Sequence, residues 1–277
     1  MIKSPDEVTS PFDYVVCAHK AIDQESVAAR LKPAINENTT IVIIQNGVGN
    51  EEAFRNSYPQ SSIITCVVCY HPSPSALTIH LISIERKTWV GARQSTPGKI
   101  THTKSEDMQI GLFANPSVPS SLEKSRLDTF ASLLMHGQTK FQVLEDMQLQ
   151  RWEKVVWNVA WNSLTTLTLL DTQSWLNSSP DATPLTRKLM REVIDVGRKC
   201  GVELDYGLID RLMDKINAMP GIGSSMQTDC LNKRPMEIDV ILGFPVKKAK
   251  ELGIETPILE TIHTLVRAVD VRLRASL

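Results

Sequence analysis

Lys154, Asn158 and Asn162 recur four residues apart in the stretch RWEKVVWNVAWN, residues 151–162. A helix turns about 100° per residue, so this spacing stacks an ammonium and two carboxamides on one face. Trp152, Val155, Val156 and Val159 form an apolar face roughly opposite. Trp157 and Trp161 border the polar row, and large indoles are seldom left in water, so the helix is expected to be buried on most of its circumference. A polar row inside a buried helix has two readings. In the plainer one the lysine snorkels to the surface and the asparagines bond neighbouring backbone. In the other the row faces a ligand, to which the ammonium can donate a proton while the carboxamides both donate and accept.

Two further stretches carry chemistry. In QNGVGNEE, Asn46 and Gly47 follow the apolar run IVII, at the strand end where open α/β sheets bind ligands. SSMQTDCLNKRPMEIDVILG offers hydroxyls at Ser224 and Ser225 and then Glu237 in an otherwise apolar helix start. Each has a plainer reading: Asn46 as a turn former, Ser225 as an N-cap, Glu237 as a solvated helix-start residue. The five cysteines, an odd number in a long chain, suit reduced thiols. Cys66 and Cys69 have CxxC spacing, but IITCVVCY reads as a strand, which sends residues three apart to opposite faces. The six histidines are scattered and form no HExxH pattern, so no metal site is expected.

These residues need elements to position them. FDYVVCAHK, TTIVIIQNG and SSIITCVVCY read as strands, and ESVAARLKPAI reads as a helix. Consecutive apolar positions such as IVII suit a parallel sheet covered on both faces. TIHLISI and TWVGA read as two more short strands. From about residue 120 the pattern is helical throughout, starting with SLEKSRLDTFASLLMHG, which should stop at Gly137, and a long helix should start near Asp146. The expected organisation is a partial dinucleotide-binding domain, residues 1–115, a PSVPSS linker at 116–121, and a helical substrate domain, residues 122–277. A site in the cleft between such domains suits a dehydrogenase. The strand–GxGxxG–helix unit that cradles a pyrophosphate is not found in the sequence.

The 277 residues suffice for two domains of ordinary size. With 30 basic and 31 acidic residues the net charge is −1, which provides no field for nucleic acid or an anionic membrane. The apolar stretches are too short to span a bilayer and the start of the chain does not read as a signal peptide, so a cytoplasmic protein is expected.

A D-x-V-x-V-x-x-K-A-like strand, N-G-x-G-N-x-E, W-x-K-x-x-x-N-x-x-x-N and S-S-M-x-x-D followed by x-E-I-D-x-I-x-G occur in that order. Taken together, they resemble the ketopantoate reductase family over nearly the entire chain. The resemblance implies an α/β plus all-α fold: a Rossmann-like parallel sheet domain, incomplete here, then a helical domain like that of 6-phosphogluconate dehydrogenase. It implies NADPH-dependent reduction of ketopantoate or a related 2-keto acid, with a homodimer as a compatible assembly. By the resemblance Lys154 is the catalytic acid and Glu237 assists it, Asn158, Asn162 and Ser225 hold substrate, and Lys20, Asn46 and Gly47 lie along the NADPH groove. The chemistry of these residue types agrees. Hydride transfer to a ketone builds negative charge on the carbonyl oxygen, which a nearby proton-donating cation relieves.

The chain departs from the family pattern in starting near the family's fourth strand, without the glycine loop that binds pyrophosphate. Weakened NADPH binding and an uncovered strand edge are therefore expected. A non-catalytic remnant or incomplete gene product, acting as a binding or scaffolding protein, is the alternative. Pro245 should end or kink the helix that follows Glu237.

Overall fold

The computed structural model describes residues 4–68, 91–96, 99–103 and 108–275. In chain order the first half runs β1 (Tyr14–Cys17), α1 (Gln24–Arg30), β2 (Thr40–Ile44), α2 (Asn50–Ser57) and β3 (Ser62–Val68). Next come β4 (Gly91–Thr96), β5 (Lys99–Thr103), β6 (Met108–Phe113), α3 (Ser120–His136) and β7 (Phe141–Val143). The rest is helical: α4 (Met147–Thr168), α5 (Thr172–Leu176), α6 (Ala182–Lys199), α7 (Leu208–Asn217), α8 (Ser225–Leu231), α9 (Phe244–Leu252) and α10 (Pro257–Arg274). TIHLISI and Cys69 lie outside the described residues.

The chain divides into two compact units that interleave along the sequence. The first comprises residues 1–18, 31–44 and 58–147. Its five-stranded sheet has the order β1-β2-β3-β6-β7, in which only the β3–β6 pair is antiparallel. Parallel register sets Val15 against Ile41 and Val42 against Ile64, consistent with the consecutive apolar positions of TIVII and SIITCVV. Val42, Ile64, Cys66, Met108 and Ile110 present one buried face, and α3 lays Leu127 and Phe130, three residues apart, against it. Helix α3 ends at Gly137, whose N–H donates to the Leu133 carbonyl at 3.0 Å, and the left-handed residue is the following Gln138, at φ 56°. Strands β6 and β7 were not read from the sequence. MQIGLF has a glycine in its middle, which weakens a strand signal, and FQV is too short to show a period. β4 and β5 form a separate antiparallel ribbon.

The second unit comprises residues 19–30, 45–57 and 148–277. Helix α4 is buried along most of its length because Trp152, Val155, Val156, Val159, Ala160, Trp161 and Leu164 cover more than one side. Trp152 packs near Phe244, with ring centroids 6.4 Å apart, while Trp157 and Trp161 meet edge to face at 5.8 Å. Residues 239–243 wind as a π-turn that runs directly into α9. Pro245 lies in the first turn of α9 and is buried. It has no N–H to return to the preceding turn, and the wider π-winding, with Phe244 N–H donating to the Asp239 carbonyl, absorbs that loss without a break. Among the described residues, no helix is long and apolar enough to cross a membrane.

Cysteine environments offer a check on the sheet. Burial pushes the Cys17 thiol at the end of β1 up to about 12, whereas Cys200 is exposed. At pH 8 only about one Cys17 in 10⁴ is thiolate, so iodoacetamide should modify Cys200 in the native protein and Cys17 only after unfolding. Peptide mass mapping reads the difference, and equally rapid native labelling of Cys17 would contradict its placement in the sheet.

Candidate active site

All the residues singled out for chemistry belong to the second unit. On α4, Asn158 and Asn162 are buried, at 6% and 5% exposure, while Lys154 is half-buried. Among the described residues neither asparagine side chain has a hydrogen-bond partner. Two buried carboxamides with this little protein contact fit a ligand-facing row better than asparagines satisfied by backbone.

At one end of the row stands Arg151, three residues before Lys154 and thus on the same side of the helix. Its side chain is fully buried and pairs with the equally buried Glu51 through Nε, at 2.8 Å. Its Nη1 donates to the Gly47 carbonyl at 2.8 Å and to the Gln45 carbonyl at 3.3 Å. Asn50 Nδ2 donates to the Asn46 carbonyl at 2.8 Å. Three successive carbonyls of the turn that follows β2 are thereby satisfied by side chains, two of them by the helix that carries Lys154. Sequence reasoning missed Arg151 and Glu51. A charged residue reads as solvated, and nothing local shows that these two, 100 positions apart, meet inside the protein.

The same turn is pressed onto residues 240–244. Gly47 and Gly49 have φ of 89° and 78°, and a Cβ on them would come within 2.5 Å of Val240 and 2.1 Å of Phe244. Both the backbone conformation and the close approach demand glycine. Val48 N–H donates to the Val240 carbonyl at 3.0 Å. The glycines of NGVG thus serve packing of the turn, which leaves the Asn46 side chain as its outward polar group.

Glu237, 9% exposed, receives that side chain. Asn46 Nδ2 donates to Oε2 at 3.1 Å, and the Ala21 N–H donates to Oε1 at 2.9 Å. Gln45 Nε2 donates to the His19 carbonyl at 2.9 Å, so the backbone is held on both sides of Lys20. Lys20 itself pairs with Asp229 and donates to the Pro235 carbonyl at 3.4 Å. One carboxylate therefore gathers the two N-terminal segments against the loop that precedes the π-turn.

At the far end of the row, Thr165 lies seven residues past Asn158 and so shares its face. Its hydroxyl donates to the Trp161 carbonyl at 2.6 Å and accepts from the Ser224 hydroxyl at 2.7 Å. Ser224, rather than Ser225, is the N-cap of α8, accepting from the Gln227 N–H at 3.0 Å, and the Gln227 side chain donates to the Thr165 and Leu170 carbonyls. Ser225 is exposed, one residue beyond this anchor. A cavity of about 720 Å³ in this unit is lined by Ala21, Gln24, Val48, Gly49 and Phe244 among others, and by none of the row residues.

A sheet unit and a helical unit, the latter carrying a lysine–asparagine row with a buried carboxylate, make up a two-domain α/β plus all-α protein. Comparison with known proteins identifies which one: the model of ketopantoate reductase PanE/ApbA matches residues 2–75, and that of its C-terminal part matches residues 146–270. The chain belongs to the ketopantoate reductase family. The 2-dehydropantoate 2-reductase of Nostoc sp. is 25% identical over 264 residues, which span 95% of this chain and 75% of the relative. The crystal structure of 2-dehydropantoate 2-reductase from Methylococcus capsulatus superposes with a TM-score of 0.79 at 23% identity, covering 98% of this chain and 79% of that one. D-mandelate dehydrogenase in a ternary structure with NADH and anilino(oxo)acetate shares the fold, with a TM-score of 0.77 at 19% identity over 98% of this chain and 80% of that one.

The carboxylate of Glu237 can be tested by stability. Glu237→Leu leaves the Ala21 N–H and the Asn46 amide without their acceptors and is expected to destabilise the fold by roughly 1–3 kcal/mol, with Glu237→Gln losing less because its carbonyl still accepts. Urea denaturation measures both, and a neutral Glu237→Leu would show that these bonds are not made in solution.

Proposed function

We propose that the protein reduces a 2-keto acid to the 2-hydroxy acid with NADPH, ketopantoate being the first substrate to try. The observation that carries this reading is the Glu237 carboxylate, buried and bridging the Ala21 N–H and the Asn46 amide within the unit that bears the lysine–asparagine row. The reduced nicotinamide supplies the hydride when bound. Lys20 and Asn46 would hold the nucleotide, Lys20 through its exposed ammonium and Asn46 through its carboxamide, and Gly47 would contribute by letting the turn pack closely enough to present Asn46. The close packing of Gly47 and Gly49 against Val240 and Phe244 makes this turn a poor pyrophosphate cradle.

In this reading Lys154 donates the proton to the carbonyl oxygen as charge develops there. Asn158 and Asn162, buried and without protein partners among the described residues, bind the substrate's hydroxyl and carboxylate oxygens, and Ser225 adds a hydroxyl at the far end of the row. Glu237 orients Asn46 and Ala21, and through them the loop carrying Lys20.

Absorbance of NADPH follows turnover with ketopantoate and with an aryl 2-keto acid, the latter because D-mandelate dehydrogenase shares the fold. Lys154→Ala should lower kcat roughly 10²–10⁴-fold with little change in NADPH binding, and Asn158→Ala should raise KM for the keto acid. Tryptophan fluorescence titration with NADPH measures cofactor binding separately from turnover. A Lys154→Ala variant that keeps the wild-type kcat, or a wild-type chain that binds NADPH but reduces neither acid, would defeat the proposal.

A further inference from the structure

Asp229 closes the string SSMQTD and has no task in the proposed reaction. Its side chain is only 8% exposed, yet it holds two cations: Lys20, 42% exposed, on Oδ2 and Arg234, 52% exposed, on Oδ1. The local chain explains how. Helix α8 ends at Leu231, Lys233 takes a left-handed conformation at φ 52°, and the Arg234 N–H donates back to the Asp229 carbonyl at 2.8 Å. That reversal returns the Arg234 side chain to Asp229, with Nε 2.9 Å from Oδ1.

Two cations on one carboxylate leave a net charge of +1. Arg234 engages Asp229 through Nε, and among the described residues its two Nη groups have no protein partner. Lys20 uses two of its three donors, on Asp229 and the Pro235 carbonyl. An ordinary surface ion pair holds one cation on an exposed acid and contributes little. Here the acid is buried, so its bonds survive solvent, and it fixes both cations in place. Position adds to this: Pro235 precedes Glu237 by two residues, and Ala21, next to Lys20, donates to Glu237. The paired cations therefore adjoin the proposed active site.

We propose that Lys20 and Arg234, held by Asp229, form a clamp for an oxyanion of the ligand, either the carboxylate of the 2-keto acid or a phosphate of the nicotinamide dinucleotide. The guanidinium fork presents parallel N–H groups that match either oxyanion, and the ammonium adds a second charge. Arg234 is a binding residue and Asp229 a positioning residue. This inference rests on the reductase reading.

Isothermal titration calorimetry tests it with two probes, NADPH on the free protein and 2-oxoisovalerate on the protein saturated with NADP⁺. Arg234→Met is expected to weaken one probe at least tenfold and leave the other within about twofold, with Arg234→Lys intermediate because it keeps the charge without the fork. A loss on NADPH identifies the phosphate, and a loss on 2-oxoisovalerate the carboxylate. Asp229→Asn makes the locality more positive by one charge, so plain electrostatic attraction would tighten binding, whereas loss of positioning weakens the same probe that Arg234→Met weakens. Unchanged binding of both probes by Arg234→Met, or tighter binding by Asp229→Asn, overturns the clamp alone. A wild-type protein that binds neither probe overturns the reductase reading and the clamp with it.

Discussion

The ion pair between Arg151 and Glu51 is the constraint on which the candidate site depends. Both side chains are out of water, at 0% and 1% exposure, where an unpaired charge would be destabilising by several kcal/mol. The guanidinium can be there because Glu51 neutralises it and because two backbone carbonyls of the turn accept from its Nη1. Glu51 stands in the first turn of α2, where the helix dipole also favours a negative charge. The result is that a turn from the first third of the chain is bonded to the helix that carries Lys154. Asn46, at the centre of that turn, has little freedom to move relative to the row.

Glu237 extends this constraint to the other side. A carboxylate with both oxygens accepting from the protein is a bracket as well as a charge, and it joins the segment at Ala21 to the turn at Asn46. Proximity of this kind is where a reductase obtains much of its rate, because groups already held in line need no reorganisation when the carbonyl oxygen acquires charge. From Asp229 through Lys20, Ala21, Glu237 and Asn46 to Arg151, the polar contacts form one network within one compact unit.

Much of the fold and part of the site can be read from the residues alone. The row on α4 was legible because its period is local: four-residue spacing, with tryptophans on its borders, signals a buried helix with a polar face. The parallel strands were legible through runs such as TIVII, and the end of α3 through Gly137. What could not be read is what depends on partners distant in sequence. Arg151 and Glu51 look like solvated charges until the fold brings them together, and Asp229 looks like a helix-surface acid until Lys20 arrives from more than 200 residues away. The strand β7 gave too short a pattern, and the effect of Pro245 depended on a π-turn that no propensity announces. Family likeness suggested roles for Lys20 and Glu237, and the geometry gives their partners.

A double-mutant cycle on Arg151→Met and Glu51→Gln, read by chemical denaturation, tests the central claim most directly. Each single substitution leaves one buried partner stranded and should destabilise the protein by roughly 3–5 kcal/mol, while the double variant should lose far less than the sum. Losses that add to within about 0.5 kcal/mol would mean that the two side chains do not act as a pair, and the account of how the turn is held to the helix would fail.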